Sequence, residues 1–513
     1  MRLLTQLVLG GFLLATAAAP VAAAPSLSVV VDTEPFRKVE AEAIADMLRT
    51  IGVDADVRVW EAAALREKIA TRERHMYLTD FGSAFFDPFD LAEPKLTTGG
   101  RANFSFYSSP EVDGLLRAAG VQADAAKRRQ AYQRIQHLVL QDAPWIFGYS
   151  RQEIEAASTD VERWEPAMDS RINLHRVGLK RGDVLVVALN VDSIPTLDPA
   201  MHRLRYAETV IRNVFDALVT RTTRDRVVPE LAEHWTQVSQ TIWEFRLRRG
   251  VLFHNGDPLS VADVVFTFER VLREGAVGGK SSPRKGLLGP LVKVDAAGPD
   301  LVRFTLDKPF PPFLQALVHF QIVPKAYVER IGPAAFAERP VGTGPFKVVG
   351  AKLDSQVVLE RFDRYYGGAP DLPPVGPASV KGAVFRMIPE PATRIAALKA
   401  GEVHIVQAVP LDLVSDLAKD RHVVVKTAEG TRVYGVELNT VKPPFNDVRV
   451  RQAMNHAVNW EQIVRTLYRG YGTRLATVFL PSGFGFDPGV KPYSYDPARA
   501  RALLKQAGYA VRE

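Results

Sequence analysis

Short apolar runs alternate with amphipathic stretches along most of this chain. Residues 26–31 read as a buried strand. Ile44, Met47, Leu48 and Ile51 then recur at i, i+3, i+4 and i+7, one face of a helix that Gly52 closes. Residues 53–60 read as a second strand, which makes a strand–helix–strand unit. A further helix carries Ala131, Ile135, Leu138 and Val139 on one face. It ends at Asp142-Ala-Pro144, because the residue before a proline disfavours helix. Trp243, Phe245 and Leu247 alternate with Glu244, Arg246 and Arg248, the pattern of a half-buried strand. After Asn255-Gly256 and Pro258, Ser260-Val-Ala-Asp263 opens a helix with a capping box. Its apolar face is Val261, Val264, Val265, Phe268 and Leu272. Asp496 as N-cap, Pro497 at the first helical position and Gly508 beyond the end frame a last helix. An alternating chain should place a strand after that helix, yet the sequence stops at Glu513. Residues 367–382 are a Pro/Gly-rich loop inside a domain, and no internal repeat is present.

Length and composition narrow the class. At 513 residues the chain holds two or three domains. With 47% hydrophobic and 24% charged residues, disorder, collagen and coiled coil are excluded for the whole. The surplus of 65 basic over 58 acidic residues is scattered, so no basic tail for nucleic acid is expected. The absence of cysteine removes disulfides, thiol catalysis, Cys-ligated metal and an acylated lipoprotein anchor. Arg2, the apolar run to Ala19 and the small residues through Ala24 have the order of a secretory signal peptide, with cleavage after Ala23. The run falls short of the roughly 20 residues a spanning helix needs. The mature chain is therefore expected to be soluble and, being exported without cysteine, to reside in a bacterial periplasm.

Catalytic signals are sparse. There is no Gly-x-Ser-x-Gly elbow and no His-Glu-x-x-His helix. Gly342-Thr-Gly344-Pro345 lacks the lysine of a phosphate loop and reads as a tight turn at a strand start. The ten histidines include no i, i+4 pair, so neither metal nor cofactor is expected. Tyr77, Phe81, Phe85 and Phe86 crowd a strand-to-loop region with Asp80 and Asp87. Such a group lines a ligand cleft or forms ordinary core, and composition favours neither.

Longer motifs carry more. Pro229-Glu-Leu-Ala-Glu-His-Trp235 leads to the run from Trp243 through His254-Asn-Gly-Asp257 to Glu269-Arg270. This resembles the signature of the family 5 extracellular solute-binding proteins, the dipeptide-, oligopeptide-, glutathione- and nickel-binding receptors of ABC importers. Pro340-Val-Gly-Thr-Gly-Pro-Phe346 is similar to its glycine turn. Arg394 to Val403 is similar to its helix and following strand, with His404 where an Asp is usual. Asn439, Phe445, Asp447, Arg449 and Gln452 fit the start of its second lobe, and Asn103, Tyr107, Pro110 and Asp113 fit a late motif. The order differs from the family's. There, the stretch like 184–199 begins the mature protein, and the stretch like 26–179 follows the one ending here at Gly508. Each part occurs once, so the resemblance implies a circular permutation in which residues 26–31 supply the strand missing after the last helix.

The implied fold is an α/β periplasmic binding protein of two lobes, cluster C type, with an extra subdomain. After the signal peptide at 1–23, lobe 2 takes residues 24–148 and 433–513. Lobe 1 takes 149–432 with a subdomain at about 222–322. Hinge crossings fall near 148–150 and 432–436. The implied function is capture of a peptide-like or other small organic solute between the lobes and delivery to the permease subunits of an ABC importer. The protein would be a monomer, with no catalysis and only peripheral contact with the inner membrane. A ligand sensor for a signalling partner and a secreted enzyme are the alternatives. The solute stays open among peptides, opine-like acids, glutathione-like molecules, metal chelates and saccharides.

For the site, the resemblance anchors the pocket loop on Asp87-Pro88. That puts Ala84 where peptide-binding relatives hold an Asp for the α-ammonium. Asp80 or Asp87 would then replace that acid, or the solute has no free amino terminus. Arg203 and Arg205 are expected on the opposite wall, Arg37 on the loop where dipeptide binders hold a carboxylate, and Tyr434 at the second hinge crossing. Phe81, Phe85 and Phe86 would cover the solute's apolar part. Arginine suits carboxylate or phosphate, so an anionic solute is expected.

Overall fold

The computed structural model describes residues 24–223, 226–372 and 375–511, and the expected signal peptide lies outside the described residues. The first strand is Leu27–Thr33, and it pairs in parallel with Val53–Val59 across the helix Lys38–Arg49. That helix buries Ile44 and Leu48 on one face, as its spacing requires. The strand Met76–Gly82 lies on the other side of Leu27–Thr33, with Val31 opposite Met76.

Two long strands organise everything else. Trp145–Ser158 has 14 residues and Val423–Leu438 has 16, and they run antiparallel side by side. The end of the second nearest Leu438 pairs with Met76–Gly82 and so joins the βαβ unit just described. The other half of Trp145–Ser158 pairs with Ile405–Val406. Beyond Ile405–Val406 come Val184–Leu189, Gly382–Met387, Gln356–Arg361 and Phe346–Lys352. One 11-stranded sheet therefore runs through two packed bodies. Register breaks between Glu429 and Val433 and between Tyr434 and Gly435 mark the middle of the crossing. The two strands come so close there that a Cβ on Gly148 would sit 2.2 Å from the Tyr434 carbonyl oxygen, so only glycine fits.

Separate cores follow from this plan. Leu27, Val29 and Val31 share one with Val436, Leu438, Ala500, Leu503 and Leu504. The helix Pro497–Gln506, capped by the Asp496 side chain on Arg499 N–H, packs against the helix Val448–Ala457 and shares the core of the first strand. Beyond Gly508, the Ala510 N–H donates to the Pro25 carbonyl at 2.9 Å. Residues 27–31 accordingly lie in the same sheet as the 433–438 segment and share a core with it and with the last helix. The third body is a four-stranded antiparallel sheet, in the order Ala232–Ser239, Ile242–Leu247, Leu301–Leu306 and Leu291–Ala296, covered by the helix Val261–Leu272. Residues 242–247 alternate half-buried and buried, and Ser260 and Asp263 form the capping box that their spacing calls for.

Candidate functional site

The loop after Met76–Gly82 is shaped by one carboxylate. Asp90 accepts from the Ser83 hydroxyl at 2.6 Å and from the backbone N–H groups of Ala84 and Phe85 at 2.5 and 2.9 Å. Burial pushes its pKa up to about 6 against the pull of these donors. Asp87 caps the helix Pro88–Leu96 by accepting from Phe89 N–H, and Arg128 binds its two oxygens at 2.7 and 2.6 Å.

The body opposite grips the same loop. Arg221 donates to the Ala84 carbonyl at 3.1 Å, and His319 Nε2 lies 3.2 Å from it. Arg205 donates to the Ser83 carbonyl at 3.2 Å and to the Thr431 hydroxyl. Phe85 meets Phe310 edge to face, 6.4 Å between centroids, and so joins the core of the four-stranded subdomain.

Between loop and opposite body lies a cavity of about 160 Å³. Gly82, Ser83, Ala84 and Phe86 form one wall. Arg432, the strand partner of Gly82, stands beside them, and Arg171, Arg203, Arg205 and Arg284 reach in with Asp169, Glu208 and His319. The acids are engaged. Burial would raise the Glu208 carboxyl, but His319 at 2.9 Å and Arg284 hold it well below the usual carboxylate range. Asp169 is likewise depressed against burial by Arg171 and Arg221. Arg203 has its affinity for its proton lowered by burial and then by Arg101.

The expected site residues divide. Ala84, Phe86, Arg203 and Arg205 line this cavity. Phe85 instead packs against the subdomain core, and Phe81 sits half-buried beneath Lys95, whose Nζ is 4.9 Å from the ring. Asp80 is taken by Arg432, and Asp87 by Arg128, so neither acid stands free. Arg37 does not reach the cavity. It is 3% exposed, held by Glu40 at 2.9 and 2.8 Å and by the Thr79 carbonyl at 3.0 Å. Tyr434 stacks on Tyr149 at 5.2 Å and lies beneath Arg37 and Arg151, part of the crossing rather than of the cavity wall. Arg171, Glu208, Arg284, His319 and Arg432 carry no local motif, and sequence reading misses them. Among the described residues no group of His, Cys, Asp or Glu is placed to hold a metal ion, and no helix is long and apolar enough to cross a membrane.

A family profile, bacterial extracellular solute-binding proteins, family 5 Middle, matches residues 226–513. The dipeptide-binding protein of Escherichia coli (strain K12) is 31% identical over 306 residues, 55% of each chain. The chain therefore spans little more than half the length of this curated relative. Among solved structures, HbpA2 from Haemophilus parasuis aligns with a TM-score of 0.57 at 28% identity, over 64% of this chain and 67% of that one. The periplasmic binding protein DppA from Helicobacter pylori, in complex with the peptide STSA, aligns with a TM-score of 0.52 at 30% identity, over 64% and 66%.

Proposed function

Because the chain belongs to the bacterial extracellular solute-binding proteins of family 5, we propose that it is a periplasmic receptor that captures a small organic solute between two lobes and passes it to an ABC importer. The observation that carries this reading is the cavity walled on one side by the 82–86 loop and on the other by Arg203 and Arg205. A solute touching both walls favours their approach, so closure reports occupancy to the permease. The binding residues of this reading are Ala84, Phe86, Arg203 and Arg205, and the arginines select for an anionic group.

Lobe 2 is residues 24–148 with 433–513, and lobe 1 is 149–432 with its subdomain. The hinge is the pair of long strands at their register breaks, where bending disturbs the fewest ladder bonds. The motif order and the junction of Pro25 with Ala510 support a circularly permuted arrangement of the family's parts. The receptor is exported by the signal peptide, acts as a monomer and turns over no substrate.

Native mass spectrometry of protein purified from its own periplasm tests the reading. A small molecule should be retained and should leave on partial unfolding. Chemical conversion of that molecule by the purified protein would refute the receptor assignment.

A further inference from the structure

The cavity is rich in donors, and the acids on its wall are already engaged. Two carbonyls and two carboxylates on its wall already serve a positive or donor group. The Ser83 carbonyl takes Arg205, and the Ala84 carbonyl takes Arg221 and His319. Asp169 faces Arg171 at 3.8 Å. Glu208 is shared by Arg212, Arg284 and His319. The nearby acids Asp80 and Asp87 are closed off by Arg432 and Arg128.

The donor side is the reverse. Arg284 is tied to the His202 carbonyl at 2.7 Å and to Gln321 at 3.1 Å, and Arg432 to Asp80. Arg205 spends one nitrogen on two neutral oxygens and, among the described residues, forms no ion pair, although its charge reaches Asp169. Among the described residues none accepts a hydrogen bond from Arg203, although its side chain lines the cavity. Burial and then Arg101 weaken Arg203's hold on its proton, so Arg203 sits in the field of a like charge. Arg203 thus faces the cavity with no counter-charge among the described residues, and Arg205, two residues on, shares only Asp169, which Arg171 and Arg221 already hold.

Resting on the receptor reading above, we propose that the solute is an organic anion without a free ammonium group, bound through carboxylate or phosphate oxygens by Arg203 and Arg205. An ammonium brought into this cavity would lose its water shell and meet engaged acids beside an excess of guanidiniums, which is costly in a closed site. An anionic oxygen would give Arg203 the partner it lacks among the described residues, and Arg205 a charged one beside its two neutral oxygens.

Calorimetry with the mature protein compares four probes: N-acetyl dipeptides, glycerol phosphate, the same dipeptides with free amino termini, and N-acetyl dipeptide amides. The first or the second should bind at least about tenfold tighter than the free dipeptides, and the amides weakest of all. Which of the two anions leads tells carboxylate from phosphate. Equal or tighter binding of free dipeptides or amides overturns the inference and leaves the receptor reading standing. Should none of the four bind, the solute retained in native mass spectrometry decides. An acid without an amine supports the inference, and a cation, zwitterion or neutral molecule overturns it. No binding and no retained solute overturns both. Arg203→Gln should weaken the leading anion by about tenfold with an unchanged melting midpoint, because the side chain makes no hydrogen bond or ion pair among the described residues. Unaltered affinity in this variant removes Arg203 from the site and overturns the inference in this form.

Discussion

Arg128 and Asp87 meet in parallel, two guanidinium nitrogens 2.7 and 2.6 Å from the two carboxylate oxygens, 41 residues apart in sequence. The pair is buried, and Asp87 also begins the helix that follows the cavity loop. Its role is to fix that loop rather than to meet solute. Arg128→Ala leaves Asp87 buried and unpaired and should cost about 3–5 kcal/mol of stability in urea unfolding. A loss below about 1 kcal/mol would mean that the pair is not buried in solution.

His254 should make the protein acid-sensitive. Its Nδ1 accepts from the Gly342 N–H at 3.2 Å, so its Nε2 carries the proton and donates to the Gly344 carbonyl at 2.9 Å. Burial pushes its pKa down to about 4 from the ordinary 6.5. Between those values the unfolded chain binds more protons, so this part of the stability is complete above pH 6.5 and is lost as pH falls towards 4. His254→Gln keeps a donor and an acceptor without the titration. The stability of the wild type relative to this variant should drop by on the order of 3 kcal/mol between pH 7 and 4. Parallel pH profiles for the two proteins would contradict this.

Gly148→Ala tests the strand crossing. The added methyl would lie 2.2 Å from the Tyr434 carbonyl oxygen, a backbone atom that cannot rotate away. The expected destabilisation is about 1–3 kcal/mol, with increased amide exchange around residues 433–436. Wild-type stability in this variant would show that the strands are further apart.

Asp263 joins two helices. One oxygen accepts from the Ser260 N–H at 2.9 Å and its hydroxyl at 2.6 Å, and the other accepts from Lys325 N–H at 2.8 Å. Asp263→Ala should cost about 2 kcal/mol, more than a cap alone, because both helix starts lose an acceptor. Ser260→Ala should cost less, and the reverse ranking would show that the Lys325 bond carries no weight.

The Ser260–Asp263 box also shows where sequence reading succeeds. Its two residues are three apart, and so is every relationship that fixes the helix start. The 242–247 alternation and the Asp496 cap are equally local. The long strands are not legible in this way. Along Trp145–Ser158 a buried block is followed by half-buried Arg151, Gln152 and Glu153 and then a second buried block. No single period describes a strand that enters one core, crosses a gap and enters another. The site divides for a related reason. Arginine is the right residue type for an anion at Arg37, Arg203 and Arg205, but availability depends on neighbours. Glu40 lies three residues from Arg37 and takes it up, whereas the acid matching Arg432 is 352 residues away. Family resemblance points to Arg203 and Arg205. Arg171 and Arg284 come into view only when distant segments meet.

The pairing of Tyr77 with Glu437, 2.6 Å between oxygens and 360 residues apart, sets the timing of assembly. Chains emerge N-terminus first during synthesis. The strands Leu27–Thr33, Val53–Val59 and Met76–Gly82 are made early, yet the neighbour that closes their sheet edge, Val423–Leu438, and the helix that completes their core are made much later. For most of translation this unit exposes an unpaired strand edge and an open apolar face, the condition in which holdase chaperones bind and contacts of long sequence separation form slowly. The segment between them finds its partners nearby and can fold ahead of it. Refolding should therefore show a fast phase reporting on the Trp243 region and a slower one reporting on Trp460.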